Sequence, residues 1–338
     1  MSNKDKKTIA VVLRADFALG TGHLMRVKTL LNSLGSDFDY YLFATDFDDK
    51  LKALATEYKD IVCAPLCTLE RKIKEMSPDA IIFDHYFLDA SFESLFYVDS
   101  KIIIIDDLAN REHKAHVLID PSIGRQSIDY ADLVNKECEL YTGQLYALIK
   151  DDFVQILNSS DRVCDRRVLI AYGGADPAHA TLKAVKSITA DKRVADYTFT
   201  VLSGKVNPDY DLIKDLCAPF DNIKVLRHSD NVPALILQHS LALGAYGGMF
   251  SERIISKVPS ICTSIASNQD KGRSIIQNTQ VGVNLELSEL ENKDLIFSAL
   301  LELETHYGFY VSQCKKVFDG KSLERINNII KNLSLIHI

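Results

Sequence analysis

Short apolar runs alternate with segments of helical spacing along most of this chain, and the alternation predicts a parallel α/β protein. In the first half the runs fall near residues 8–15, 39–44, 61–64, 79–84 and 101–106, each followed by an amphipathic stretch. Ala80-Ile-Ile-Phe83 and Ile102-Ile-Ile-Ile105 are apolar at every position, as strands covered by helices on both faces must be. The pattern pauses over the polar, aperiodic stretch 157–166 and restarts at Arg167-Val-Leu-Ile-Ala171, with further runs near 197–203, 223–227, 241–245 and 259–263. From 288 to 335 the spacing is helical and rich in Glu, Lys and Leu, with breaks expected at Gly308 and Gly320. The expected organisation is two Rossmann-like α/β domains, 1–156 and 167–338, facing across a cleft and joined by a linker at 157–166. The helical tail is counted with the second domain.

The residues that end the apolar runs carry the candidate chemistry. After the first run, Arg14-Ala-Asp-Phe-Ala-Leu-Gly-Thr-Gly-His23 leads into a helical pattern. Gly20 and Gly22 permit backbone angles closed to other residues, so main chain can approach a ligand while the first N–H groups of the helix face an anion. His23 falls at that helix start, where it either caps and packs or exchanges a proton with water or a hydroxyl, its ordinary pKa lying near neutrality. Two later runs end in acids, Asp84 in one case and Asp106 with Asp107 in the other. Ligands of open α/β sheets bind beyond the carboxyl ends of strands, so these acids and the 20–23 turn are expected at one crevice; helix capping is the alternative role for Asp84 and Asp107. His85 and His113 read as structural or surface histidines.

The second half repeats the device twice. Tyr172-Gly-Gly-Ala-Asp-Pro177 follows a run and precedes a helix expected from about Thr181, so Gly173, Gly174 and Asp176 are candidates for contacting a diphosphate, or for a tight turn without a ligand. It is neither a Walker A loop nor a GxGxxG fingerprint. Leu243-Gly-Ala-Tyr-Gly-Gly-Met-Phe-Ser-Glu252 is a second such unit, with Gly247 and Gly248 in the turn. Glu252 is expected in the first turn of the following helix, favouring its dipole or accepting from a ribose diol. Ala266-Ser-Asn-Gln269 offers two neutral amides, Asn268 and Gln269, suited to sugar hydroxyls.

Composition narrows the partners. With 338 residues, 47% hydrophobic and 25% charged, the chain is long enough for two globular cores. A net charge of −7 without a basic block excludes a nucleic-acid footprint. The seven cysteines are odd in number and scattered, which reads as reduced thiols in a cytoplasm. No apolar run approaches the roughly 20 residues that span a bilayer, and MSNKDKK lacks the apolar core of a signal peptide, so neither insertion nor secretion is expected. No HExxH, GxSxG or kinase signature and no metal-ligand cluster occurs, so no metal or cofactor is expected.

Taken in order, RADFALGTGHLMR (14–26), FDHY (83–86), IDDLANREH (from 105), LIDPSIG (118–124), YTGQLYALIKDDF (141–153), YGGADP (172–177), GAYGGMFSERIISKVPSI (244–261) and IASNQ (265–269) resemble the UDP-2,4-diacetamido-2,4,6-trideoxy-β-L-altropyranose hydrolases of pseudaminic acid biosynthesis. The resemblance runs from about residue 8 to residue 285. It implies a GT-B architecture, shared with nucleotide-sugar glycosyltransferases, and metal-independent hydrolysis that removes UDP from the sugar with inversion at C1. The family's active-site histidine falls on His23 as acceptor of the water proton, and its DHY tyrosine on Tyr86 beside the sugar. Arg14, Asp16, Gly20, Gly22 and Asp84 would line the sugar or stand behind the histidine. Gly173, Gly174, Asp176, Gly247, Gly248, Glu252, Asn268 and Gln269 would meet the nucleotide or sugar. The implied partner is a small nucleotide sugar, with other enzymes of the sugar pathway conceivable. Here the first turn is two residues shorter than in the family, Met249 and Phe250 stand where the family has Ser-Thr, and His179 stands where it often has Asn. A glycosyltransferase that uses a UDP-sugar donor in surface glycan synthesis is the competing reading, since fold alone does not separate hydrolysis from transfer.

Overall fold

A computed structural model describes residues 6–15, 22–47, 49–149, 153, 155–156, 163–266, 269 and 272–335. The chain divides into two compact units, Met1–Lys150 with Gly320–Ile338, and Asp151–Asp319.

The first unit is built on β1 (Lys7–Ala15), β2 (Phe38–Phe47), β3 (Tyr58–Cys63), β4 (Ala80–Asp84), β5 (Lys101–Ile105), β6 (Val117–Asp120) and β7 (Glu139–Thr142). They form one sheet in the order β3-β2-β1-β4-β5-β6-β7, every pair parallel. Alternation along β1 shows why its sequence is apolar throughout. Ile9, Val11 and Leu13 pack with Leu24, Val27 and Leu30 of the helix Gly22–Leu34, while Ala10 and Val12 pack on the other face with Leu69 and Ile73 of the helix Leu66–Met76. Each large aliphatic side chain so buried contributes about 1.5–3 kcal/mol. The apolar pattern anticipates the first five strands. β6 and β7 are four residues each, too short for a period to declare itself, and β7 is only partly covered.

The second unit carries β8 (Arg167–Ala171), β9 (Thr198–Leu202), β10 (Ile223–Leu226), β11 (Leu241–Ala245), β12 (Ser260–Thr263) and β13 (Gly282–Asn284) in the order β10-β9-β8-β11-β12-β13, again all parallel. The order is that of the first six strands of the other sheet. It reverses between β1 and β4 in one unit and between β8 and β11 in the other. Such a reversal sends the crossovers on its two sides to opposite faces and opens a crevice beyond the carboxyl ends of the two strands. Pairing of Leu13 with Asp84, and of Ala171 with Gly244, sets those ends level.

The tail departs from expectation. Helices Lys293–Thr305 and Tyr307–Val317 belong to the second unit, but Ser322–Leu335 belongs to the first, so 167–338 is not one domain. Ile326 and Ile330 enter the core formed by β1 and the helix Gly22–Leu34, and Asn327 exchanges hydrogen bonds with Ser33. An apolar stripe on a helix demands burial without saying where, and this one finds its cover on the first unit. The first break falls at His306, so Gly308 lies inside a helix; Gly320, with φ +73°, precedes the last helix as expected. Most of the expected linker, 157–162, lies outside the described residues, and the division falls at Lys150/Asp151.

Candidate active site

At the reversal of the first sheet, three chain segments deliver charged and aromatic side chains to one place. Gly22 and His23 open the helix that follows β1, Asp84 is the last residue of β4 and Asp107 follows β5. Asp84 is fully buried and His23 is 6% exposed. The His23 Nδ1 stands 2.5 Å from Asp84 Oδ1. A carboxylate only accepts, so Nδ1 carries the proton and Nε2 is the basic nitrogen. No described residue bonds Nε2. The Tyr86 ring meets the His23 ring edge-on, 4.4 Å between centroids, and the Tyr86 hydroxyl donates to Asp107 Oδ2 at 3.2 Å.

Arg26 lies one turn beyond His23 on the same helix face. Its Nε and Nη2 donate to the two oxygens of Asp84 at 2.6 and 2.5 Å, and its Nη1 donates to Asp107 Oδ2 at 2.6 Å. Burial acts to raise the Asp84 carboxyl, but the charge and hydrogen bonds of Arg26, with the His23 bond, hold it below the usual carboxylate range. Burial, reinforced by Asp107, pushes the Tyr86 phenol well above its ordinary value, so Tyr86 is a neutral hydrogen-bond donor at physiological pH. His85 plays a different part. Its Nδ1 accepts from the Phe87 N–H at 3.0 Å and burial drives it down to about 4, so it is a neutral support for the turn after β4. His113 is buried on Glu93 at 2.7 Å, away from this cluster in its bonding.

The other candidates of this unit take different places. Arg14 lies near the end of β1, its guanidinium 5.5 Å above the ring of Phe87 and its Nε 3.2 Å from Asp46. Asp16 and Gly20 lie outside the described residues. Asp106, by contrast with Asp107, is a structural acid: it accepts from the N–H of Ala109, the Tyr130 hydroxyl and Arg111. The pairing of Asp84 with both His23 and Arg26 replaces its alternative reading as a helix cap.

The second reversal is built from backbone. Gly173 has φ +110°, open to glycine and strained for any other residue, and it and Gly174 are exposed. Their carbonyls face Gly204 so closely that a Cβ there would stand 2.3 Å from the Gly174 oxygen. Asp176 is not placed as a ligand contact. Both its oxygens accept helix N–H groups, from Ala180 at 3.0 Å and Thr181 at 2.7 Å, so it caps the helix Ala180–Thr189 and fixes the turn. Gly247 and Gly248 begin the helix Gly248–Ile255, and Gln269 Nε2 lies beside Gly247 while its Oε1 accepts from the Ile265 N–H at 3.1 Å. Glu252 is the fifth residue of that helix, beyond the first turn expected for it, because the helix starts at the second glycine rather than after it. Asn268 lies outside the described residues.

No protein-family model matches the chain. Among known proteins it is 22% identical over 264 residues to the UDP-2,4-diacetamido-2,4,6-trideoxy-beta-L-altropyranose hydrolase of Campylobacter jejuni, covering 77% of this chain and 93% of that one. It is 21% identical over 341 residues to the spore coat polysaccharide biosynthesis protein SpsG of Bacillus subtilis, covering 96% and 98%. An uncharacterized protein of Methanocaldococcus jannaschii is 24% identical over 265 residues, and the chain spans about half, 54%, of its length. The structure superposes on MurG of Acinetobacter baumannii with a TM-score of 0.68 at 11% identity, covering 96% of this chain and 99% of that one. The UDP-GlcNAc 2-epimerase of Neisseria meningitidis, solved bound to UDP-GlcNAc, gives 0.64 at 13%, covering 96% and 100%.

The fold is GT-B-like.

A relative carrying the name of the hydrolase family thus accompanies the motif resemblance read along the chain. Within the GT-B-like fold the two crevice-forming reversals carry the two sets of sequence candidates, apart from the residues not described. Arg26 was missed as a site residue although it ends the first motif. Its signal was present as a His-x-x-Arg spacing on one helix face, but nothing local names Asp84 and Asp107 as its partners. Among the described residues no group of three or more His, Cys, Asp or Glu is placed to hold a metal ion, and no helix is long and apolar enough to cross a membrane.

Proposed function

We propose that the protein is an enzyme acting on a UDP-sugar, and that it hydrolyses a UDP-2,4-diacetamido-2,4,6-trideoxyhexose in nonulosonic acid biosynthesis in the cytoplasm. The observation that carries the reading is His23, held by Asp84 with Nε2 as its basic nitrogen and Tyr86 beside it, in a chain related to a hydrolase of that name.

In this mechanism water attacks C1 from the face opposite the nucleotide, the C1–O bond to the diphosphate breaks and the configuration inverts. His23 Nε2 takes the water proton, while Asp84 keeps Nδ1 protonated and stabilises the imidazolium that forms. The electron pair leaves on the diphosphate. The growing charge is assigned to N–H groups at the Gly173–Gly174 and Gly247–Gly248 turns, a role that needs no side-chain hydroxyl and so tolerates Met249 and Phe250. Tyr86, whose one hydroxyl proton goes to Asp107, is assigned to the sugar through its ring and as an acceptor at its oxygen. Arg14, Asp16, Gly20 and Gly22 are assigned to the same sugar end, Glu252, Asn268 and Gln269 to the nucleotide end.

The test incubates the purified protein with a panel of UDP-sugars, with and without EDTA, and follows UDP and free sugar by NMR. Release of both from the diacetamido substrate, unaffected by EDTA and reduced about 10²- to 10⁴-fold in His23→Phe, is the expected result. Release only on addition of an acceptor would replace hydrolysis by transfer, and conversion to an epimeric UDP-sugar without UDP release would replace it by epimerisation.

A further inference from the structure

Arg26 occupies the centre of the first-unit cluster, and the way it is shared goes beyond the pairing of His23 with Asp84. Arg26 Nη2 and His23 Nδ1 end on the same oxygen, Asp84 Oδ1, at 2.5 Å each. Arg26 Nη1 and the Tyr86 hydroxyl end on the same oxygen, Asp107 Oδ2, at 2.6 and 3.2 Å. Asp107 Oδ1 is buried with no hydrogen-bond partner among the described residues, so that carboxylate is held through one oxygen. A single guanidinium therefore sits between the two carboxylates that orient the two aromatic candidates.

We propose that Arg26 is a positioning residue that couples His23 to Tyr86, fixing the two rings against each other through the carboxylates of Asp84 and Asp107. The catalytic consequence rests on the function proposed above; the coupling itself does not.

Arg26 Nη2 also lies 3.4 Å from His23 Nδ1, so the guanidinium meets the ring directly as well as through Asp84. The groups around His23 are Arg26 on its own helix, Asp84, His85 and Tyr86 at and after the end of β4, and Asp107 after β5. Tyr58 of β3 lies near Asp84, and Arg14 and Arg111 act on His85. Of these, only Arg26 bonds both carboxylates. A lysine in its place keeps the charge but loses the fork that grips two oxygens of one carboxylate and one of the other.

The experiment records the ring signals of His23 and Tyr86 in the intact protein by heteronuclear NMR, with His23 assigned from the signal that disappears in His23→Asn. In wild type each ring carries the ring-current shift that the edge-on contact imposes. Arg26→Lys is expected to abolish those shifts and to lower kcat on the UDP-sugar with KM little changed. Asp107→Asn, which leaves the Arg26–Asp84 pair in place, is expected to release Tyr86 and abolish the shifts while His23 keeps its bond to Asp84, and serves if Arg26→Lys does not fold. Ring-current shifts unchanged from wild type in a folded Arg26→Lys, or in Asp107→Asn, overturn the proposal even if UDP is still released. Lost shifts in a protein that turns over no UDP-sugar uphold the coupling and refute the hydrolase reading instead.

Discussion

The two sheets reverse strand order in the same way, yet they furnish their crevices with opposite materials. Beyond β1 and β4 stand His23, Arg26, Asp84 and Tyr86, with Asp107 from β5, held in a network of short hydrogen bonds. Beyond β8 and β11 stand Gly173, Gly174, Gly247 and Gly248, with a buried aspartate closing a helix start. One topology supports either a constellation of titrating side chains or an array of backbone dipoles. The first suits the movement of a proton. The second suits a charge that stays put, because backbone N–H groups at helix starts bind anions without titrating.

If the first region is a balanced charge network, removing one member should cost more than any steric change in the second. Asp84→Asn leaves the partly buried Arg26 without its principal counter-charge, and a loss of about 3 kcal/mol in urea unfolding is expected. A loss below about 1 kcal/mol, the scale of an exposed pair, would show the network to be dispensable for stability.

A second measurement separates titrating from non-titrating support. His85 is held at about 4, below its ordinary 6.5, so the unfolded chain binds the proton more readily. Its contribution is present above pH 6.5 and is lost as the pH falls toward 4, with a slope of up to about 1.4 kcal/mol per unit. Stability measured across that window should fall less steeply in His85→Gln than in wild type.

The second region is tested by adding single methyl groups. A Cβ at Gly244 would stand 2.5 Å from the Arg253 guanidinium and 2.6 Å from the Ala171 carbonyl on the paired strand. Arg253 is fully buried, its Nε on Ser260 and its Nη2 on the Ala245 carbonyl, so it cannot swing away freely. Gly244→Ala is expected to cost about 1–3 kcal/mol in thermal or chemical unfolding. Gly173→Ala meets open space but keeps φ at +110°, and about 1–2 kcal/mol is expected from backbone strain alone. Under the proposed function both should raise KM for the UDP-sugar with little change in kcat, whereas His23 variants should do the reverse. Equal effects of both sets on kcat would erase the distinction between the regions.

Much of this arrangement is legible in the residues alone. Central strands declare themselves because burial on both faces leaves no polar position, as in Ala80–Asp84 and Lys101–Ile105 apart from their terminal residues. Turns declare themselves through glycines. The three-residue edge strand Gly282–Asn284 does not, being too short to carry a period. Nor does Asp176 reveal whether its carboxylate faces a ligand or the helix behind it. That choice depends on where the next N–H groups point.

By itself the sequence determined the alternation of strand and helix, the two α/β halves and the placing of His23, Asp84 and the glycine pairs at strand ends. These are local facts, encoded in hydrophobic spacing and backbone permissiveness over a few residues. Tertiary structure decided that Arg26 joins Asp84, 58 positions on, to Asp107, 81 positions on, and that the last helix returns to the first unit. Those outcomes rest on strand order. Only when β4 and β5 line up beside β1 do two carboxylates come within reach of one guanidinium, and charges carry no periodicity that announces their partners.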